Sequence, residues 1–97
     1  MAERRHFEWD DKKARANEAK HGVSFVFALA VFDDPDRLEL DTSRPQDGET
    51  RFKAVGKIGS TLYTVVFVVR GETWRIISAR RSNRREERNY GDRSLHL

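Results

Sequence analysis

The sequence contains no cysteine, which removes disulfides and thiolate metal sites from consideration. Histidine is scarce as well: His6, His21 and His96 lie far apart. No cluster of carboxylates stands near the cations, so neither a metal nor another cofactor is expected. No apolar run is long enough to cross a bilayer. The opening residues, Met-Ala-Glu-Arg-Arg-His-Phe, lack the apolar stretch of a signal peptide. With the missing thiols, this points to the cytoplasm, most naturally of a bacterium, and to no membrane partner. There are two prolines and six glycines, and no repeat or low-complexity tract. The 97 residues suffice for one domain, residues 1–97, with a small core.

Charge is abundant: 36% of residues are charged, 19 basic against 16 acidic, for a net +3. It is unevenly spread. Residues 33–49 hold two basic and seven acidic groups, whereas residues 50–97 hold eleven basic and four acidic. Fourteen of the nineteen cations are arginine, and seven of those lie between Arg75 and Arg93. Arginine makes forked bonds to phosphate and stacks on bases. A basic, arginine-rich half on a small domain suggests a nucleic-acid ligand, the alternative being a merely solvated charged face.

The local signals are dense. Phe7–Asp10 reads as a short extended segment. Asp10 caps a helix through Lys12–Lys20 that stops at Gly22. Ser24 caps a second helix, Phe25–Phe32, apolar at every position and therefore buried on most sides or covered by a partner. Arg37–Asp41 alternates as an edge strand. Strands are expected at Arg51–Ile58, Thr61–Arg70 and Thr73–Arg81, joined by the two-residue turns Gly59-Ser60 and Gly71-Glu72. A last helix spans about Asn83–Tyr90, with a capping box of Asn83 and Glu86 and a stop at Gly91, leaving residues 92–97 loose. The expected fold is α+β: two N-terminal helices packed on one face of a mainly antiparallel four- to five-stranded sheet, with a C-terminal helix beside it.

Two-residue turns fix a register. One face then carries Phe52, Ala54, Ile58, Tyr63, Val65, Phe67, Trp74 and Ile76, a core surface for the N-terminal helices. The other carries Arg51, Lys53, Lys57, Thr64, Val66, Val68, Arg75, Ile77 and Arg81, cations over an aliphatic floor and a plausible RNA-binding surface. A bulge in either strand would flip part of this assignment.

Six runs in order resemble a known family: Phe7–Asp10; Asn17 with Lys20–Phe25; Val31–Pro35; Arg51-Phe52; Arg75–Arg81; and Arg85–Arg88 with Tyr90. Together they are similar to the BrnT toxins of type II toxin–antitoxin systems, over about residues 6 to 91. The resemblance implies a RelE-like fold and a ribonuclease that halts translation. It also implies a BrnA-like antitoxin with a DNA-binding ribbon-helix-helix domain, which neutralises the toxin, and operator DNA contacted only through that complex. The chain departs from the family at Val26 and Phe27, where relatives are often polar. This marks both residues as a partner surface, for the antitoxin or for a second copy in a higher-order assembly. A non-enzymatic co-repressor and an interaction module docking an acidic peptide remain open as rival classes.

Metal-free RNA cleavage needs a base for the 2′-OH, cations for the phosphorane and an acid for the leaving 5′-oxygen. Arg51, Lys53 and Arg75 fall on the basic face, against the plain alternative of solvent-facing strand cations. Arg80 falls at the core-side rim, where a salt bridge to an acidic group such as Asp10 competes with a role in the site. Glu87 and Tyr90 share a helix face as candidate base and proton donor or stacking platform; intrahelical pairing and packing compete. His21 is a candidate acid–base group because histidine as a residue type suits such work, although a helix C-terminus alone explains a Lys-His-Gly ending. Lys57, Arg81, Arg84, Arg85 and Arg88 are candidate phosphate contacts. Trp9 and Trp74 read as core.

Overall fold

The computed structural model describes residues 6–95, and the side chains of residues 6–92. It is an α+β fold built on one five-stranded mixed sheet. Strands β1 (His6–Glu8), β2 (Leu38–Asp41), β3 (Thr50–Ile58), β4 (Thr61–Arg70) and β5 (Thr73–Arg81) stand in the order β1-β5-β4-β3-β2. The expected strand bounds hold to within a residue. The extended segment at the N-terminus joins the sheet as β1, parallel to β5, while every other pairing is antiparallel.

Helix α1 (Asp11–His21) starts as its residues dictate: the Asp10 carboxylate accepts from the Lys13 N–H at 3.0 Å. It ends at Gly22, whose φ of 70° closes the last turn. The second helix is shorter than expected. After Ser24 caps it, α2 covers only Phe25–Ala28 and tightens into a 3₁₀ turn at Leu29–Asp33. That winding lays Val31 on β3 at Gly56, where a Cβ would sit 2.9 Å from Val31 Cγ1 and from its carbonyl oxygen. Glycine is therefore required at position 56 by close approach. Nor is the segment buried all round: Val26 and Phe27 are exposed.

Phe25, Ala28, Val31 and Phe32 cover a sheet face of Ala54, Val65, Phe67, Ile76 and Ala79. Phe67 stacks on Trp74 at 4.7 Å between centroids, Phe32 packs edge-on against both, and Trp9 packs edge-on against Phe25. Both tryptophans thus serve the core, as expected.

The β3–β4 register is the expected one along its whole length, and only Gly59 in its turn takes a positive φ. The β4–β5 register matches from Arg70↔Thr73 to Phe67↔Ile76, then shifts by one. Ile77 is the extra residue of a bulge in β5, so Ser78, Ala79, Arg80 and Arg81 exchange faces relative to the sequence expectation. Ala79 turns into the core. Arg80, expected at the core-side rim, stands opposite Thr64 on the other face; Arg81, expected on the basic face, stands opposite Tyr63.

Beyond the short β1, the side-chain amide of Asn17 closes the edge of β5. It accepts from the Ala79 N–H at 3.1 Å and donates to the Ala79 carbonyl at 2.7 Å, the two bonds a strand would make. The last helix, α3 (Arg84–Leu95), is longer than expected. Gly91 lies inside it and has no positive φ, so no stop forms, and residues 92–95 are helical; residues 96–97, also expected to be loose, lie outside the described residues. Instead of standing beside the sheet, α3 sets Glu86 against Thr64 on the second face. Thr64 and its β3 partner Val55 on that face are buried, as is Val68 between Arg51 and Arg75.

Candidate functional site

On the second face, Val68 pairs with Arg51 of β3 and with Arg75 of β5, so the two arginines flank one valine. Adjacent strands lie about 4.8 Å apart, which puts their backbones about 10 Å apart. Lys53 stands two residues along from Arg51, opposite Val66, and Arg80 stands opposite Thr64. Four cations from two strands therefore share one face, and all four are half-buried.

Each rests on a carboxylate. Arg75 Nη1 donates to Glu8 at 2.8 Å across the β1–β5 pair. Arg51 Nη2 donates to Glu49 at 2.9 Å, while its Nε is buried with no hydrogen-bond partner. Lys53 Nζ donates to Glu86 Oε2 at 3.0 Å. Arg80 makes a fork on Glu86, Nη1 to Oε1 and Nη2 to Oε2, both at 2.8 Å.

Glu86 is 1% exposed. The expected capping box is formed: Asn83 N–H donates to Glu86 Oε1 at 2.9 Å, and Glu86 N–H donates to Asn83 Oδ1 at 2.8 Å. Thr64 Oγ1 adds a bond to Oε1 at 3.0 Å. Burial pushes the Glu86 carboxyl up, but the donors from Arg80, Asn83, Lys53 and Thr64 outweigh it and hold the group far below the usual carboxylate range.

The remaining candidates divide. Arg84, Arg85 and Arg88 are exposed on α3 and make no ion pair among the described residues. Glu87 is likewise exposed. The Tyr90 hydroxyl donates to Asp34 Oδ2 at 2.8 Å. Burial raises the Asp34 carboxyl, yet the N–H groups of Lys57 and Asp36 and the Tyr90 hydroxyl keep it below its ordinary value. Lys57 is exposed, and its backbone N–H bonds Asp34 at 2.8 Å. Arg81 is exposed at the end of β5. His21 ends α1, half-buried, in the layer over the core face rather than the cationic one. Val26 and Phe27 are 68% and 46% exposed, and Phe27 packs edge-on against Tyr63 at 5.2 Å.

Among the described residues, no three His, Cys, Asp or Glu side chains gather closely enough to hold a metal ion. No helix among them is long and apolar enough to cross a membrane.

Residues 9–86 match the family model of the ribonuclease toxin BrnT of type II toxin–antitoxin systems. The chain belongs to the BrnT family. It is thus a ribonuclease toxin of a type II pair, with RNA as its target and an antitoxin as its partner. No curated protein matches the sequence. Within this BrnT chain, the matched segment carries Arg51, Lys53, Arg75 and Arg80 and ends on Glu86; Glu87 and Tyr90 follow it. The carboxylates Glu8, Glu49 and Glu86 are what the sequence reading missed in the site. Glu86 did carry a signal, its capping spacing, but that spacing explains only one of its five bonds from donors.

Proposed function

We propose that this BrnT chain cuts RNA without a metal ion and thereby stops translation in the cytoplasm, using the face that carries Arg51, Lys53, Arg75 and Arg80. The observation that carries this reading is the convergence of those four cations on one side of β3 and β5. In metal-free cleavage the 2′-oxygen loses its proton and attacks the adjacent phosphorus. The 5′-oxygen leaves with a proton, giving a 2′,3′-cyclic phosphate and a 5′-hydroxyl. Charge builds on the phosphorane oxygens, where fixed cations act most strongly. Arg51 and Arg75 straddle the phosphate, and Lys53 and Arg80 extend the positive surface along the chain. Although each is paired, a guanidinium has five N–H donors and an ammonium three, so donors remain for the phosphate. Glu86, saturated and strongly acidic, is a poor base. Glu87, exposed one residue further along α3, is the carboxylate suited to take the 2′-OH proton. Arg84, Arg85 and Arg88 gather RNA from solution.

The partner is a BrnA-like antitoxin with a ribbon-helix-helix domain, and the complex reaches operator DNA through that domain. Val26 and Phe27, an exposed apolar pair within α2, support a docking role for that helix, including in higher-order assembly.

The test is the purified chain, freed of its partner, incubated with RNA and with DNA of the same sequence in EDTA. The expected result is RNA fragments ending in cyclic phosphate and intact DNA. Activity lost in chelator and restored by magnesium would overturn the metal-free mechanism. RNA binding without cleavage under either condition would favour the co-repressor.

A further inference from the structure

The buried carboxylate of Glu86, bonded to two of the four cations, has no part in the steps above, yet it is the most heavily bonded side chain of that face among the described residues. We infer that Glu86 is the positioning residue of the RNA-cleaving face, fixing Lys53 and Arg80 to each other and to the start of α3. The inference rests on the sheet-face reading of cleavage.

The geometry is that of a hub. Donors reach the Glu86 carboxylate from β3 (Lys53), β4 (Thr64), β5 (Arg80) and the residue before α3 (Asn83). Oxygen Oε1 accepts three bonds and Oε2 two. Lys53 and Arg80 lie on strands separated by β4 and repel one another. Their long side chains also have many rotamers to lose. A single carboxylate between them removes the repulsion and selects one rotamer of each. The cluster of one anion and two cations still presents net positive charge outward, so the phosphate is not screened off. A purely stabilising role would be served as well by apolar residues replacing Glu86 and its two cations together, because buried ion clusters contribute little net stability against such replacements. A carboxylate is needed where the placement of the two cations matters.

A role as base is disfavoured on the same geometry. With five donors on its two oxygens and 1% exposure, Glu86 has no free lone pair aimed at solvent or at a bound strand.

The experiment compares the wild-type chain with Glu86→Gln, which keeps shape and loses charge. The cleavage rate at saturating RNA, per folded molecule, and the RNA dissociation constant are measured across pH. The expected result is a rate lower by at least about tenfold, because misplacing a charge donor by an ångström costs up to about a hundredfold. RNA affinity should stay within about threefold, since the outer arginines are untouched. The acid limb of the rate profile should stay where it is in the wild type. An unchanged rate per folded molecule would overturn the inference, and so would loss of the acid limb, which would make Glu86 the base. Should Glu86→Gln not fold, Glu86→Asp is used: it keeps the countercharge but falls a methylene short. A reduced saturating rate supports positioning, and a full rate overturns it. A wild-type chain that does not cleave RNA would instead sink the sheet-face reading itself.

Discussion

Two sets of cations can be set side by side. Those on the sheet, Arg51, Lys53, Arg75 and Arg80, are half-buried, and each is held by a carboxylate at 2.8–3.0 Å. Those on α3, Arg84, Arg85 and Arg88, are exposed and make no ion pair among the described residues. A held cation has already lost its rotamer freedom and can act on a transition state without reorganising. A free one is surrounded by water and salt, and it contributes mainly to attraction at a distance. Arg84 and Arg88 are also one helical turn apart, a spacing at which like charges repel. Stability does not explain such a row, but binding a polyanion does. The same residue type thus appears twice, separated by whether a carboxylate fixes it.

The largest effect that would sharpen this contrast is on chemistry. Arg75→Ala should lower cleavage at saturating RNA by about a hundredfold, the scale for deleting one donor to a developing charge. Its melting temperature should stay near wild type, because the pair with Glu8 is partly exposed and such pairs contribute about 1 kcal/mol or less. Arg75→Lys should bind RNA but cleave no better than the alanine variant, since it keeps charge and loses the fork. Arg84→Ala should leave the saturated rate within about twofold. Equal losses at positions 75 and 84, measured by single-turnover kinetics, would erase the distinction.

A second effect is on stability, and pH gives its sign. Arg80→Ala strips the fork from a buried carboxylate and should cost about 2 kcal/mol at neutral pH, with Lys53, Thr64 and Asn83 still bonded to it. Arg84→Ala should stay within about 0.5 kcal/mol. The Glu86 carboxyl is lowered from the 4.5 of a free glutamate, so its contribution is complete above that value and fades as pH falls below it. Wild type should therefore lose stability on acidification through that range, while the gap between wild type and Arg80→Ala narrows. Denaturant melts at about pH 7 and about pH 3.5 check the first statement, and a further melt at about pH 2 checks the second, because the gap closes only as pH falls towards the lowered folded value. A gap that widens in acid would show that Arg80 is held by something other than the charge of Glu86.

The contrast was only half legible in the sequence. Strand limits, turns, both N-terminal caps and the Arg51–Val68–Arg75 row followed from alternation and turn chemistry, because two-residue turns leave one register. The bulge at Ile77 did not, since an isoleucine in a β-rich run carries no mark of irregularity, and that one residue moved Arg80 to the other face. The parallel docking of β1 has no local signal either; it is a contact between segments 67 residues apart. Gly91 read as a stop because glycine often ends helices, yet that requires a positive φ, which Gly91 lacks. Glu86 was legible as a cap but not as a hub, because Lys53 and Thr64 reach it only through the folded sheet.

The smallest effect concerns the free set alone. Replacing Arg84, Arg85 and Arg88 together by alanine removes three charges and, with all three exposed, no ion pair among the described residues. Fold stability should therefore stay close to wild type, and removing the i, i+4 repulsion could raise it by a few tenths of a kcal/mol. RNA affinity at low salt should fall. More telling is its salt dependence: for single strands, each lost phosphate contact should shallow the slope of log K against log salt by about 0.7. Three lost contacts predict a change of about 2, and the affinities of wild type and variant should converge as salt rises. Once RNA is saturating, the cleavage rate should change by less than about twofold, because the sheet cations keep their carboxylates and their positions. A variant that binds RNA with an unchanged salt slope but cleaves slowly would reverse the assignment, placing the chemistry on α3 and leaving the paired cations of the sheet as structure.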